Sequence, residues 1–276
     1  MKRTLHWTLI ALALLIPASR VFSAEEASPV SKAPLASAAA ILESAFVNRY
    51  SIDLVAQIEL VMHGRGGQTR TRTIRAATKV IDGRVYSIGR LLSPEYLRDM
   101  TILMIETEDR GQDAFIFMPS LDKVRRITTA QRSDAFFGSD VTYEDIEQQR
   151  ADDFEFDSLE EIDHNGERAY VIHARPARKG NYARAVFTVA KADSALLGVD
   201  YYKRNAEEPY RVIEAPRAEM VRMGEHILPT HLSVENRMRG TRTEVYFEKM
   251  SVDVDIPRRV FSVRTLESRA PLPRVR

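Results

Sequence analysis

The apolar positions of this chain change period once. Ala38, Ile41, Leu42, Ala45 and Phe46 fall three or four residues apart and form one apolar stripe at helical spacing, with Ser37 placed to cap it. From about Ser51 the spacing shortens to two. Segments 52–62 and 68–81 flank the glycine-dense turn His63-Gly64-Arg65-Gly66-Gly67, and Asp82-Gly83 separates Val80-Ile81 from Val85-Tyr86. Segments 101–107 and 113–118 flank 108–111. Asn165-Gly166, a strong hairpin signal, sits between 154–163 and 168–175. Further strands are predicted at 182–190, 195–203, 210–222, 226–237 and 241–253. In 182–190, Ala183, Ala185, Phe187 and Val189 share one face. In 241–248, Thr243, Val245 and Phe247 oppose Arg242, Glu244 and Glu248. Such alternation means one buried face and one wet face. The pattern predicts a mainly-β (α+β) fold, a large antiparallel meander curved into an open or half-open barrel. Two helical inserts are expected within it, one starting at Ser93-Pro94-Glu95 and one at Thr142-Tyr143-Glu144-Asp145.

The N-terminus adds an address. Lys2 and Arg3 precede an apolar stretch from Leu9 to Ile16, Pro17 breaks it, and Val21-Phe22-Ser23 offers an exit for a signal peptidase. The apolar centre is far shorter than the roughly 20 residues that span a bilayer. A mature chain beginning at Ala24 is expected, and N-terminal sequencing of exported material checks it. The sequence has no cysteine, so it offers no disulfide, no thiolate metal ligand and no lipidated terminus. The expectation is a soluble periplasmic protein. Removing residues 1–23 takes away Lys2, Arg3 and Arg20 and leaves 37 bases against 39 acids, a net charge of −2. That balance gives no reason to expect nucleic acid as a partner. An outer-membrane barrel is disfavoured, because Arg70 and Arg72 alternate with Thr69, Thr71 and Thr73, with Arg75 nearby, and the outer face of that hairpin would carry arginines at about 2–4 kcal/mol each.

A search for catalytic chemistry is largely negative. His63, His164, His173, His226 and His231 include no HExxH pair, and no Gly-x-Ser-x-Gly or phosphate loop occurs. Ten acids and one base, Arg150, lie between Glu144 and Asp163, which reads as a solvated acidic face. No cofactor is expected, and the protein is read as a non-enzyme. The informative segment is 113–145. Ala114-Phe115-Ile116-Phe117-Met118 is a continuous apolar run, buried on both faces or set between a core and a cavity. Phe136-Phe137-Gly138 puts two aromatic rings in a loop. They cover either the protein's own core or an apolar ligand cavity.

The blocks FMPSLDKVRRI (117–127) and FFGSDVTYED (136–145) resemble the LolA-like family of outer-membrane lipoprotein-sorting proteins. Leu91-Leu92-Ser93-Pro94 and Leu228-Pro229-Thr230 extend the likeness over most of the chain. The resemblance implies a LolA/LolB-like domain at 37–267, after a signal peptide at 1–23 and a flexible leader at 24–36, with a disordered tail at 268–276. It implies a half-open, strongly curved antiparallel barrel of about 11 strands with an N-terminal helix and short lid helices. It also implies a monomeric periplasmic carrier of lipid or lipoprotein acyl chains, linked with RND-type inner-membrane exporters or an outer-membrane acceptor. A sensor or adaptor subunit without cargo is the alternative. The expected cavity lining is Phe46, Leu54, Ile58, Leu60, Met104, Phe115, Phe117, Phe136 and Phe137, about half of them facing inward since strand register is open. Lys123, Arg125 and Arg126 are expected to meet an anionic head group or a partner, or to be ordinary strand charge.

Overall fold

The computed structural model describes residues 35–109, 111–178, 180–268 and 271–275. The expected signal segment, and the leader up to residue 34, lie outside the described residues. Helix α1 spans Leu35–Tyr50, starting two residues ahead of the expected cap. Its stripe is a core face as predicted: Ala38, Leu42, Ala45 and Phe46 are fully buried.

Six strands follow: β1 (Leu54–His63), β2 (Thr69–Ile81), β3 (Arg84–Ser93), β4 (Thr101–Glu106), β5 (Gln112–Met118) and β6 (Lys123–Ile127). Asp82-Gly83 and Asn165-Gly166 both have positive φ at the two central positions, as a two-residue hairpin turn demands. A long connection then carries helix α2 (Tyr143–Ile146). The second half of the sheet is β7 (Phe154–His164), β8 (Glu167–Pro176), β9 (Arg184–Ala190), β10 (Leu196–Tyr202) and β11 (Arg211–Glu214). A separate hairpin, β12 (Met220–Met223) and β13 (His226–Pro229), precedes β14 (His231–Asn236), β15 (Thr241–Val252) and helix α3 (Val263–Ser268). The predicted single strands 210–222 and 226–237 are each split. The first break spans Ala215–Glu219 and includes Pro216, and the second is at Thr230, directly after Pro229; neither proline has an N–H for a continuing ladder.

Thirteen strands form one antiparallel sheet in the order β6-β5-β4-β3-β2-β1-β15-β14-β11-β10-β9-β8-β7. This overturns the half-open, strongly curved barrel of about 11 strands. The sheet is open, neither closed into a barrel nor curled, and β6 and β7 are its two free edges. The reason lies in the connection. Residues 128–153 link the two edge strands, so β6 and β7 are consecutive in the chain yet do not pair. The meander instead joins at its centre, where the first strand pairs with the last, Leu60 opposite Val245.

The main core lies on one face of this sheet. It unites α1 with residues of both halves, among them Leu60, Ile74, Ile102, Leu159, Phe187 and Leu232. A second core lies elsewhere on the first half, where Leu103 and Phe117 meet Ile256, Phe261, Leu266 and Leu272 from the C-terminal segment. Part of the expected tail is therefore packed, with Leu272 buried. The predicted helix at Ser93-Pro94 is only a single turn at Glu95–Leu97. Ser93 does not cap it, because its hydroxyl donates to Thr73 Oγ1 on β2 at 2.8 Å.

Candidate functional site

An apolar cavity of about 210 Å³ lies between the central strands and the long connection. Strand β1 contributes Leu54, Ala56, Ile58 and Leu60, and β2 contributes Ile74 and Ala76. Ile102 and Met104 come from β4, Leu232 and Val234 from β14, and Val245 and Phe247 from β15. The central pairing of β1 with β15 makes this possible, since it sets inward-facing residues of both chain halves side by side. Phe136, Val141 and Ile146 close it from the connection. Among the described residues, its ionisable lining is Arg49 and Tyr50 at the end of α1 and Asp145 on α2.

The closing segment is built by local rules. Phe137 and Gly138 both take positive φ, and the reversal lets Phe136 N–H donate to Val141 O at 2.8 Å. It turns both rings inward: their centroids are 4.3 Å apart, and Phe136 meets Tyr143 edge-on at 5.7 Å. Ser139 Oγ donates to Phe136 O at 2.7 Å and ties off the loop. A helix starts where the sequence predicted one, and it does so through a reciprocal capping box between Thr142 and Asp145.

Two buried carboxylates fasten this segment to the sheet. Asp140 accepts from Thr241 Oγ1 at 2.6 Å and from Thr243 Oγ1 at 2.9 Å, both on β15. Asp145 pairs with Arg211 of β11. Arg211 Nη2 donates to Asp145 Oδ1 at 2.8 Å, and both side chains are about 5% exposed. Burial opposes ionisation of Asp145, but the Arg211 guanidinium and the Thr142 bonds outweigh it and hold its carboxyl below the usual range. Arg211 also lies over the Tyr201 ring, 4.3 Å from its centroid. Tyr50 Oη donates to Asp145 O at 3.2 Å, linking α1 to the same knot. A third buried acid, Glu147, pairs with Arg132. Burial outweighs that partner and pushes Glu147 up to about 7. The acidic stretch 144–163 is thus not uniformly a solvated face: Asp145 and Glu147 are buried, with basic partners outside the stretch.

Of the expected lining, Leu54, Ile58, Leu60, Met104 and Phe136 surround the cavity. Phe46 is on α1 and packs on Phe187 and Phe154 at 5.7 and 5.9 Å, away from the cavity wall. Phe137 is buried in the main core beside Phe136. Phe115 and Phe117 belong to the second core, under the C-terminal segment. The run 114–118 alternates, with Ala114 and Ile116 packed in the main core and Phe115 and Phe117 in the other. Lys123, Arg125 and Arg126 are exposed on edge strand β6, and Arg126 pairs with Asp113. None of the five described histidines lines the cavity. His231 pairs instead with Glu244 at 2.7 Å and stacks on Tyr246. Among the described residues no cluster of three or more His, Asp or Glu is arranged to hold a metal, and no helix is long and apolar enough to cross a membrane.

Asp140, Arg211, Thr241 and Thr243 were not expected as site residues. The signal for Asp140 was present, within the FFGSD block. Its partners lie in strands far along the chain and carry no local mark.

The fold is shared with solved proteins at low identity. A domain from Vibrio parahaemolyticus, described as an outer membrane lipoprotein-sorting protein, superposes with a TM-score of 0.75 at 19% identity, over 83% of this chain and 97% of that one. A DUF1329 family protein from Desulfovibrio piger gives 0.72 at 23% identity, over 78% and 92%. A LolA superfamily protein from Nitrosomonas europaea gives 0.62 at 19%, over 82% and 97%. The chain therefore has the fold of LolA-superfamily proteins. Residues 83–268 match the model of a family described as a "-like: Uncharacterized protein" family, and the chain belongs to it. No curated protein matches the chain.

Proposed function

We propose that this protein is a periplasmic carrier that holds the acyl chains of a lipid or lipoprotein in its apolar cavity for transfer across the cell envelope. The cavity between β1, β15 and the 136–146 segment carries this reading, and the shared fold supports it. An apolar cavity of about 150 Å³ is enough to hold benzene, whereas drug-sized ligands occupy about 300–1,000 Å³. At about 210 Å³ the cavity suits a short acyl segment, and a longer chain enters when the 136–146 segment lifts. Each methylene buried contributes about 0.8 kcal/mol, so even a partial chain is held without directional bonds. The reaction asked of the protein is transfer rather than catalysis. Removal of the signal at 1–23 and release of a soluble chain complete this proposal, and an exporter of the inner membrane or an acceptor of the outer membrane is the partner class it calls for.

The test is direct. Delipidated protein is titrated with a fluorescent fatty acid, and organic extracts of gently purified protein are analysed by mass spectrometry. Saturable uptake with a co-purifying lipid is the expected result. Absence of both overturns the carrier.

A second reading, a sensor or adaptor of an export complex that carries no cargo, draws on a different observation. Phe136 and Phe137 pack on core side chains, and Asp140 and Asp145 bolt their loop to the sheet. A loop that never lifts under any ligand, by hydrogen exchange, favours this adaptor.

A further inference from the structure

The turn 64–68 between β1 and β2 and the turn 237–240 between β14 and β15 lie side by side at one end of the sheet. His63 stands opposite Arg242 in the register, and a Cβ on Gly240 would sit 3.6 Å from the Arg65 side chain. Residues 63–70 read HGRGGQTR and residues 237–242 read RMRGTR. Together they hold Arg65, Arg70, Arg237, Arg239 and Arg242 and no acid. All five arginines are exposed. Arg237 is compensated by Glu208 and Glu235, and Arg242 by Glu244. Arg65, Arg70 and Arg239 form no ion pair with any other described residue.

Five cations gathered at one end of the sheet, with no acid in either turn, repel one another and lower stability. Cations are often placed on a sheet to protect a free edge. That explanation does not apply, because β1 and β15 are central strands with neighbours on both sides. The same end of the sheet exposes two large apolar side chains. Met238, at the tip of 237–240, is 70% exposed, and Tyr96, in the β3–β4 turn, is 74% exposed. Arg72 reaches from β2 over the Tyr96 ring, 5.8 Å from its centroid. Met and Tyr at the tips of a cationic rim match the headgroup layer of a bilayer, where apolar tips enter and guanidinium groups meet phosphate. An acidic protein or a nucleic acid would engage the arginines and leave Met238 unexplained.

We propose that this rim docks the protein on an anionic phospholipid surface, with Arg65, Arg70 and Arg239 against the phosphates and Met238 in the headgroup layer. Docking by this rim does not depend on what the cavity holds.

The purified chain is sedimented with vesicles of phosphatidylcholine, alone or containing phosphatidylglycerol. Binding is expected only with the anionic lipid and is expected to fall as salt rises. The triple variant Arg65→Ser/Arg70→Ser/Arg239→Ser is expected to lose on the order of 100-fold in vesicle affinity, from about 1 kcal/mol per arginine near an anionic surface. Its thermal midpoint is expected to hold or rise, since repulsion is relieved. Met238→Ser is expected to weaken binding and to abolish the fluorescence response of a headgroup-depth probe. Full retention of binding in the triple variant, equal binding to both vesicle types, or no vesicle binding at all overturns the proposal. If the triple variant misfolds, the salt dependence and lipid preference of the parent chain still decide it.

Discussion

Arg211 and Asp145 form a buried ion pair that joins β11 to the four-residue helix α2 above the cavity, with Nη2 2.8 Å from Oδ1. A helix this short has little stability of its own. The pair and the Thr142–Asp145 capping box hold it in place. Removing one partner leaves the other charge buried, so Asp145→Asn or Arg211→Met is expected to cost about 3–5 kcal/mol in chemical denaturation. The double variant Asp145→Leu/Arg211→Met is expected to recover much of that loss. A double variant no better than the singles would show that the pair does more than satisfy itself.

Glu147 gives a pH dependence with a definite sign. Its ordinary value is 4.5 and its folded value is about 7, raised by burial against the opposing pull of Arg132. Between these values the folded state binds the proton and the unfolded state does not. Stability from this group therefore falls as pH rises from about 4.5 to about 7, and is flat outside that window. Glu147→Gln is expected to flatten this stretch of the stability curve. An unchanged slope in the variant would assign the dependence elsewhere.

The bonds from Thr241 and Thr243 to Asp140 act on the closing segment more than on the fold. Thr241→Val with Thr243→Val leaves a buried carboxylate with two fewer donors, at a cost of about 1–3 kcal/mol for each. Amides of 136–146 are expected to exchange faster, while those of β1 and β15 keep their protection relative to global unfolding. Uniform loss of protection would mean that the segment does not open as a unit.

The sequence marked the strands well because hydrophobic alternation is a local property. Thr243 and Val245 on β15 are buried as their alternation required, whereas β9 is buried on both faces, Val186 as well as Phe187 and Val189. It marked the closing segment too, since Phe136-Phe137-Gly138 and the Thr142–Asp145 spacing are short-range signatures. The fate of the sheet edges was not legible. Whether β6 meets β7 depends on the path of residues 128–153, and no period records that path. Phe115 and Phe117 failed as cavity residues for a related reason: what covers them is Phe261, Leu266 and Leu272, far along the chain. Asp145 and Glu147 looked solvated because their bases, Arg211 and Arg132, lie outside the acidic stretch.

Filling the cavity separates ligand binding from folding. Ala76 lines it and is only half-buried, so Ala76→Phe can place its ring in the existing space. Fatty-acid uptake is expected to be lost with a stability change under about 2 kcal/mol, within the range for a large residue entering available volume. Uptake equal to that of the parent chain would place the ligand elsewhere.

The pairing of β1 with β15 also sets a timetable. A ribosome, or a translocation pore, delivers β1 long before β15, yet the two are neighbours at the centre of the sheet. Until residues 241–252 emerge, the first six strands and the strands from β7 onward can form only as separate halves, each with an unpaired inner edge. The C-terminal segment that covers Leu103 and Phe117 arrives later still. A topology so rich in distant contacts folds slowly, with apolar surface open to other chains in the meantime. The inner edges of both halves therefore stay unpaired for almost the whole of synthesis, and a truncation that removes the last strand leaves two half-sheets in place of a shortened protein.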